Sequence, residues 1–217
     1  MEGKKIVGMV LGGLILGLWV FAGPAFAAPP DNYTAKMVMQ GMAMPMAKMG
    51  NKMWAENPMM PGMVTITLMD SRKMIMMSTT NKVFMEKDLE EETPSVYDPR
   101  VVMEKKKIGS ETMDGHPCIK YDTVFYLKDK PAEKYQATIW EAQDLGGLPI
   151  RNEVIMPEGK RMGGQGKMVS ELKEIKVGAA NASMFEIPKD YKKVDNMMEL
   201  MGGMEKMQEM MKQRKKK

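Results

Sequence analysis

Met63-Val64-Thr65-Ile66-Thr67-Leu68-Met69 alternates along its length, with Val64, Ile66 and Leu68 pointing one way and Thr65 and Thr67 the other. A period of two, in residues that favour extended backbone, predicts a strand with one buried face. Asp70-Ser71 then makes a turn, residues 73–79 (KMIMMST) return, and Asn81-Lys82 turns again into Val83-Phe84-Met85. Short apolar runs separated by tight turns read as consecutive hairpins of an antiparallel sheet. Upstream, residues 33–40 alternate with Met37 and Met39 on one face and Lys36, Val38 and Gln40 on the other. Downstream, strands are predicted over 107–113, 116–127, 135–142, 150–156 and 167–177. Asp114-Gly115 is a strong hairpin turn, and Gly146-Gly147 and the glycine-rich residues 159–166 supply further turns. About ten strands result. Residues 87–107 break the rhythm: the acidic run 88–92, Pro94 and Pro99 predict a polar crossover with one short helix near 101–106.

Composition narrows the chemistry. Thirty of the 217 residues are methionine, against 14 aromatics (3 Trp, 6 Tyr and 5 Phe), one cysteine (Cys118) and one histidine (His116). One Cys closes no internal disulfide, and one Cys with one His builds no structural zinc site. A net charge of +4 is too mild to argue for nucleic acid, and no βαβ rhythm or phosphate-cradling glycine motif occurs. The acidic run reads as a solvated face rather than a pair of catalytic carboxylates. No enzyme signature is present, so the sequence predicts a non-enzymatic binding protein.

The two ends lie outside the predicted domain, residues 28–194. Lys4 and Lys5, the apolar run 6–21, the Gly23-Pro24 break and Ala25-Phe26-Ala27 read as a secretory signal peptide over residues 1–27. An uncleaved anchor is the rival reading, for which the run is slightly short. No cysteine follows the run to carry a lipid, so the expected location is the periplasm of a Gram-negative host, or the outside. Residues 195–217 read as a methionine-rich amphipathic helix capped at Asp195 or Asn196, with a basic end (KQRKKK). Met197, Leu200, Met201 and Met204 form its stripe, and with Lys215 and Lys216 they are candidates for contact with an anionic membrane surface or a partner. A frayed, solubilising tail is the alternative.

Residues 109–121 (GSETMDGHPCIKY), 140–151 (WEAQDLGGLPIR) and 185–191 (FEIPKDY) occur in this order and at this spacing. Together they resemble an uncharacterised family of secreted bacterial proteins, a domain of unknown function related to the LolA/LolB-like periplasmic lipoprotein carriers. The resemblance covers roughly residues 33–194. It implies a mainly β (α+β) fold: a curved antiparallel LolA-like half-barrel with a short covering helix and a C-terminal helix. It also implies an apolar concavity, which in the carriers holds acyl chains. The chain departs from the carriers in its short helical segment between strands. It also has methionine where Leu, Val or an aromatic is expected.

An unclosed sheet with one apolar face must cover that face with helices or with a ligand. Met37, Met39, Val64, Ile66, Leu68, Ile139, Val154 and Met156 are the candidate apolar-ligand residues, and methionine, unbranched and flexible, suits varied apolar partners. The expected partner is a lipid or apolar small molecule held by a monomer in the cell envelope. A packed core that binds nothing, in a structural envelope component, is one alternative. Copper is the other: soft thioethers select Cu(I), and Met42, Met44, Met46 and Met49 on a mobile loop, with His116 and Cys118, are the candidate ligands. Against copper, methionine is spread through strands and tail where no metal requires it.

Overall fold

The computed structural model describes residues 28–89, 95–156 and 166–203. Twelve strands lie within them: β1 (Asn32–Met39), β2 (Met42–Met49), β3 (Lys52–Glu56), β4 (Met63–Leu68), β5 (Lys73–Ser78), β6 (Val83–Asp88), β7 (Val101–Met113), β8 (His116–Leu127), β9 (Tyr135–Ala142), β10 (Leu148–Ile155), β11 (Lys167–Val177) and β12 (Lys192–Lys193). They form one curved, unclosed sheet in the order β12-β6-β5-β4-β3-β2-β1-β11-β10-β9-β8-β7. Every pairing is antiparallel except β12 with β6. The sheet is thus two meanders, β1 to β6 and β7 to β11, joined at the centre where β1 pairs with β11. The crossover from β6 to β7 carries the chain from one edge to the other.

Three elements differ from the sequence expectation. Residues 42–49 are a strand, not a mobile loop, and β3 follows as a further unexpected strand. Pro45 obscures β2 in the sequence, yet it lies where β2 is locally an edge. β3 pairs only with Met46–Met49, so the stretch from Met42 to Pro45 has a neighbour on one side alone, where a proline is tolerated. Residues 101–106 are strand rather than helix. β7 is the sheet's outer edge and carries Glu104, Lys105, Lys106 and Lys107, charges that protect an edge but erase the alternation a strand prediction needs.

At the start of the predicted C-terminal helix, Asn196 caps α1 (Met197–Leu200) by accepting from Glu199 N, and this helix of four residues ends with Met201 as its C-cap; residues 204–217 lie outside the described residues. So do the predicted signal peptide over 1–27, residues 90–94 of the acidic run and crossover, and residues 157–165 of the glycine-rich turn. No helix among the described residues is long and apolar enough to cross a membrane.

Directly paired residues share a face, so the register divides β1 to β6 into two sides. One side buries Ala47, Val64, Ile66, Ile75 and Met77, with Trp54, Leu68 and Phe84, under Ala180, Phe185, Ile187 and Tyr191. The chain between β11 and β12 therefore serves as the outer cover. The other, inner side carries Tyr33, Ala35 and Met46. These join Leu172, Leu148, Ile150, Trp140 and Cys118 in a second cluster drawn from both meanders. β10 and β11 pair only from Arg151↔Glu171 to Ile155↔Lys167, and a bulge near Ile150 lets the start of β10 turn into that cluster. A third cluster, Phe125, Tyr135, Ala137, Ile139, Val154 and Met156, lies under Val96 and Tyr97 of the crossover.

Candidate functional site: the methionine face

Methionine is sorted by face. The inner side of the first meander carries Met37 and Met39 on β1, Met42, Met44 and Met46 on β2, Met53 on β3, Met63 on β4, Met74 and Met76 on β5, and Met85 on β6. On the outer side of the same six strands only Met49 and Met77 occur, among Trp54, Val64, Ile66, Leu68, Ile75 and Phe84. Cross-strand pairs place thioethers side by side: Met39 opposite Met42, Met37 opposite Met44, Met76 opposite Met85. Met46 and Met85 are buried, Met42 is 41% exposed, and the others are half-buried.

The predicted apolar-ligand residues do not form one group. Met37 and Met39 stand on the methionine face. Val64, Ile66 and Leu68 point the opposite way and pack under Phe185, so they belong to the outer core and are corrected out of the site. Ile139, Val154 and Met156 share the inner side but are buried beneath Val96. Tyr97 fixes this plug: its hydroxyl donates to Pro149 O at 3.0 Å and accepts from Asn152 Nδ2 at 3.1 Å. Burial pushes its pKa up to about 12, against the lowering effect of the Asn152 bond. The crossover, rather than a helix, fills the inner side of the second meander.

The predicted copper ligands scatter likewise. Met42, Met44 and Met46 share the inner face with Met37 and Met39, but Met49 is on the outer side against Ala47 and Trp54. His116 Nδ1 lies 2.8 Å from Asp144 Oδ2, which ties the start of β8 to the turn after β9. Cys118 is a free, buried thiol donating to His116 O. Burial raises its pKa, so it stays a thiol and neither attacks nor ligates readily. Among the described residues no group of three or more His, Cys, Asp or Glu is placed to hold a metal.

The C-terminal candidates also separate. Met197 is exposed, but Leu200 is fully buried and α1 is held to the β5–β6 turn by Asn81 Nδ2 donating to Leu200 O at 3.1 Å. Met201 is half-buried, while Met204, Lys215 and Lys216 lie outside the described residues.

At the end of the methionine face a cavity of about 190 Å3 is lined by Asp31, Lys48, Met53, Met69, Tyr97 and Pro99. That is smaller than the roughly 300–1,000 Å3 of ordinary ligand pockets, whereas the methionine positions extend over all six strands, with Met37 and Met53 packed against the inner core cluster and Met42 the most exposed. Sequence reasoning missed the sorting because it lacked the strands β2 and β3. With them, the alternation Met42-x-Met44-x-Met46 lines up against Met37-x-Met39.

No family model matches the chain, and no curated protein matches it. Among solved structures it is similar to an uncharacterised conserved protein from Thermus thermophilus, at 11% identity over 77% of this chain and 91% of that one, with a TM-score of 0.46. It is similar to the lipoprotein LppX of Mycobacterium tuberculosis at 13% identity, over 70% and 89% of the chains, with a TM-score of 0.42. A LolA superfamily protein from Nitrosomonas europaea is similar at 10% identity, over 75% and 91%, with a TM-score of 0.32.

Proposed function

We propose that the protein is an exported, non-enzymatic binding protein that holds an apolar ligand, a lipid acyl chain in the first instance, on the methionine face of β1 to β6. One observation carries this reading: ten methionines on one side of six strands, against branched and aromatic side chains on the other. Packing alone gives no reason for that sorting, since β-branched residues suit strands better on either side. Thioether side chains remain adaptable where they meet a partner of variable shape. Export rests on the composition of residues 1–27. The test is native mass spectrometry of protein purified from the envelope of its own host. Acyl species should co-purify, and their yield should fall when Met39, Met44 and Met76 are replaced together by glutamine, which keeps length but desolvates poorly. Protein that emerges free of any apolar molecule and takes up none from added lipid would sink the reading.

A further inference from the structure

We propose that the β1–β2 hairpin is a Cu(I) site whose ligands are the thioethers of Met37, Met39, Met42 and Met44. This goes beyond the apolar-ligand reading and does not depend on it. Met39 and Met42 directly flank the two-residue turn Gln40-Gly41, and Met37 and Met44 are the next pair on the same face. Opposed residues hold their Cβ atoms about 4.5–5.5 Å apart, and residues two apart along a strand lie about 6.5–7 Å apart. The four side chains therefore start from the corners of one small rectangle. Three rotatable bonds in each let the sulfurs converge.

The turn fixes this arrangement, because Gln40 and Gly41 both have positive φ, +51° and +80°, which matches the tight hairpin type. The hairpin also projects beyond β3, whose pairing with β2 starts at Met46. Met42, at 41% exposure, leaves the group open to an incoming ion.

The chemistry selects the metal. Neighbouring positions on this face are Ala35 and Met46 within the hairpin and Ser170 and Leu172 on β11; none offers a carboxylate or imidazole. Lys36, Lys173 and Glu171 fall on the opposite face. A neutral, oxygen-poor set of thioethers suits Cu(I) and not zinc, calcium or Cu(II).

The test is anaerobic titration of the mature chain with Cu(I) against bicinchoninate. Three variants accompany it: Met37→Leu/Met39→Leu/Met42→Leu/Met44→Leu, the same-face control Met74→Leu/Met76→Leu/Met85→Leu, and Cys118→Ser. Wild type and both controls should take up one equivalent, and the hairpin variant should bind it at least about tenfold more weakly. Copper uptake is read on lipid-free protein and acyl uptake on copper-free protein, so wild type that takes up Cu(I) but no acyl ligand fails the apolar-ligand reading alone, and wild type that takes up acyl ligand but no Cu(I) fails this site alone. Wild type that does not compete for Cu(I), or a hairpin variant that binds as wild type does, overturns the proposal. So does a control that loses as much. X-ray absorption of the copper-loaded wild type gives a readout independent of variant folding: a sulfur-only shell is expected, and a shell of nitrogen or oxygen overturns the assignment.

Discussion

Ile66 and Met44 show how differently two apolar residues are used in one meander. Ile66 is 0% exposed and sits in the outer core against Phe185. Ile66→Ala should cost about 2–5 kcal/mol, as large-to-small core changes do, and urea unfolding measures it directly. Met44→Leu, half-buried on the inner face, should change stability by less than about 1.5 kcal/mol. A large loss there would mean that the face is core rather than surface. Charge is used as locally. Burial pushes the Glu153 carboxyl up, but hydrogen bonds from Lys167 and Arg151 outweigh it and hold its pKa below the ordinary value. A carboxylate lowered in this way contributes stability that is present above the unfolded pKa and lost as pH falls through the folded one. Unfolding free energy should therefore decline below about pH 4.5, and Glu153→Gln should flatten that acid limb while lowering stability at neutral pH. An unchanged slope would assign the acid sensitivity elsewhere.

The β1–β2 hairpin depends on its turn more than on any contact. A Cβ on Gly41 would meet nothing within 4 Å, yet its φ is +80°, so Gly41→Ala carries only the backbone cost, about 1–2 kcal/mol. Gln40→Asn should raise Tm, since Asn-Gly is the favoured pair for this turn; a fall in Tm would mean that the hairpin register differs. The same element marks where the sequence stops being legible. β4 announces itself because Val64 and Ile66 alternate with Thr65 and Thr67, and β5, β8, β9 and β11 because runs of strand-favouring residues are bounded by recognisable turns. β2 does not, because Met, Ala and Pro are apolar on both sides of Met42–Met49. β7 does not, because an edge strand rich in lysine has little buried on either side. Register was hidden for a related reason. Val64 and Met39 look alike as apolar strand positions, and only the intervening strands β2 and β3 show that they face opposite ways.

At the scale of the whole molecule, the two meanders cover their inner sides differently. The second is closed by Val96 and Tyr97 of the crossover, and the first presents methionine. The curved, unclosed antiparallel sheet was legible in the strand runs and the three family-like segments, but the side taken by the methionines was not, because composition gives a methionine count without a side of the sheet. That division makes oxidation a probe of the face, since sulfoxide formation follows access to the sulfur. In chelator-treated protein, dilute peroxide should modify Met42 and Met59, 41% and 55% exposed, well before the buried Met46, Met77 and Met85. Added oleate should then slow oxidation of Met39, Met42 and Met44. Met59, in the loop between β3 and β4 and off the face, should react at its original rate. Peptide mapping by mass spectrometry reads both rates in one sample. If Met42 oxidises equally fast with and without oleate, the methionine face does not hold an acyl chain. If Met59 slows by the same factor, the effect is scavenging by the lipid rather than occupation of a site.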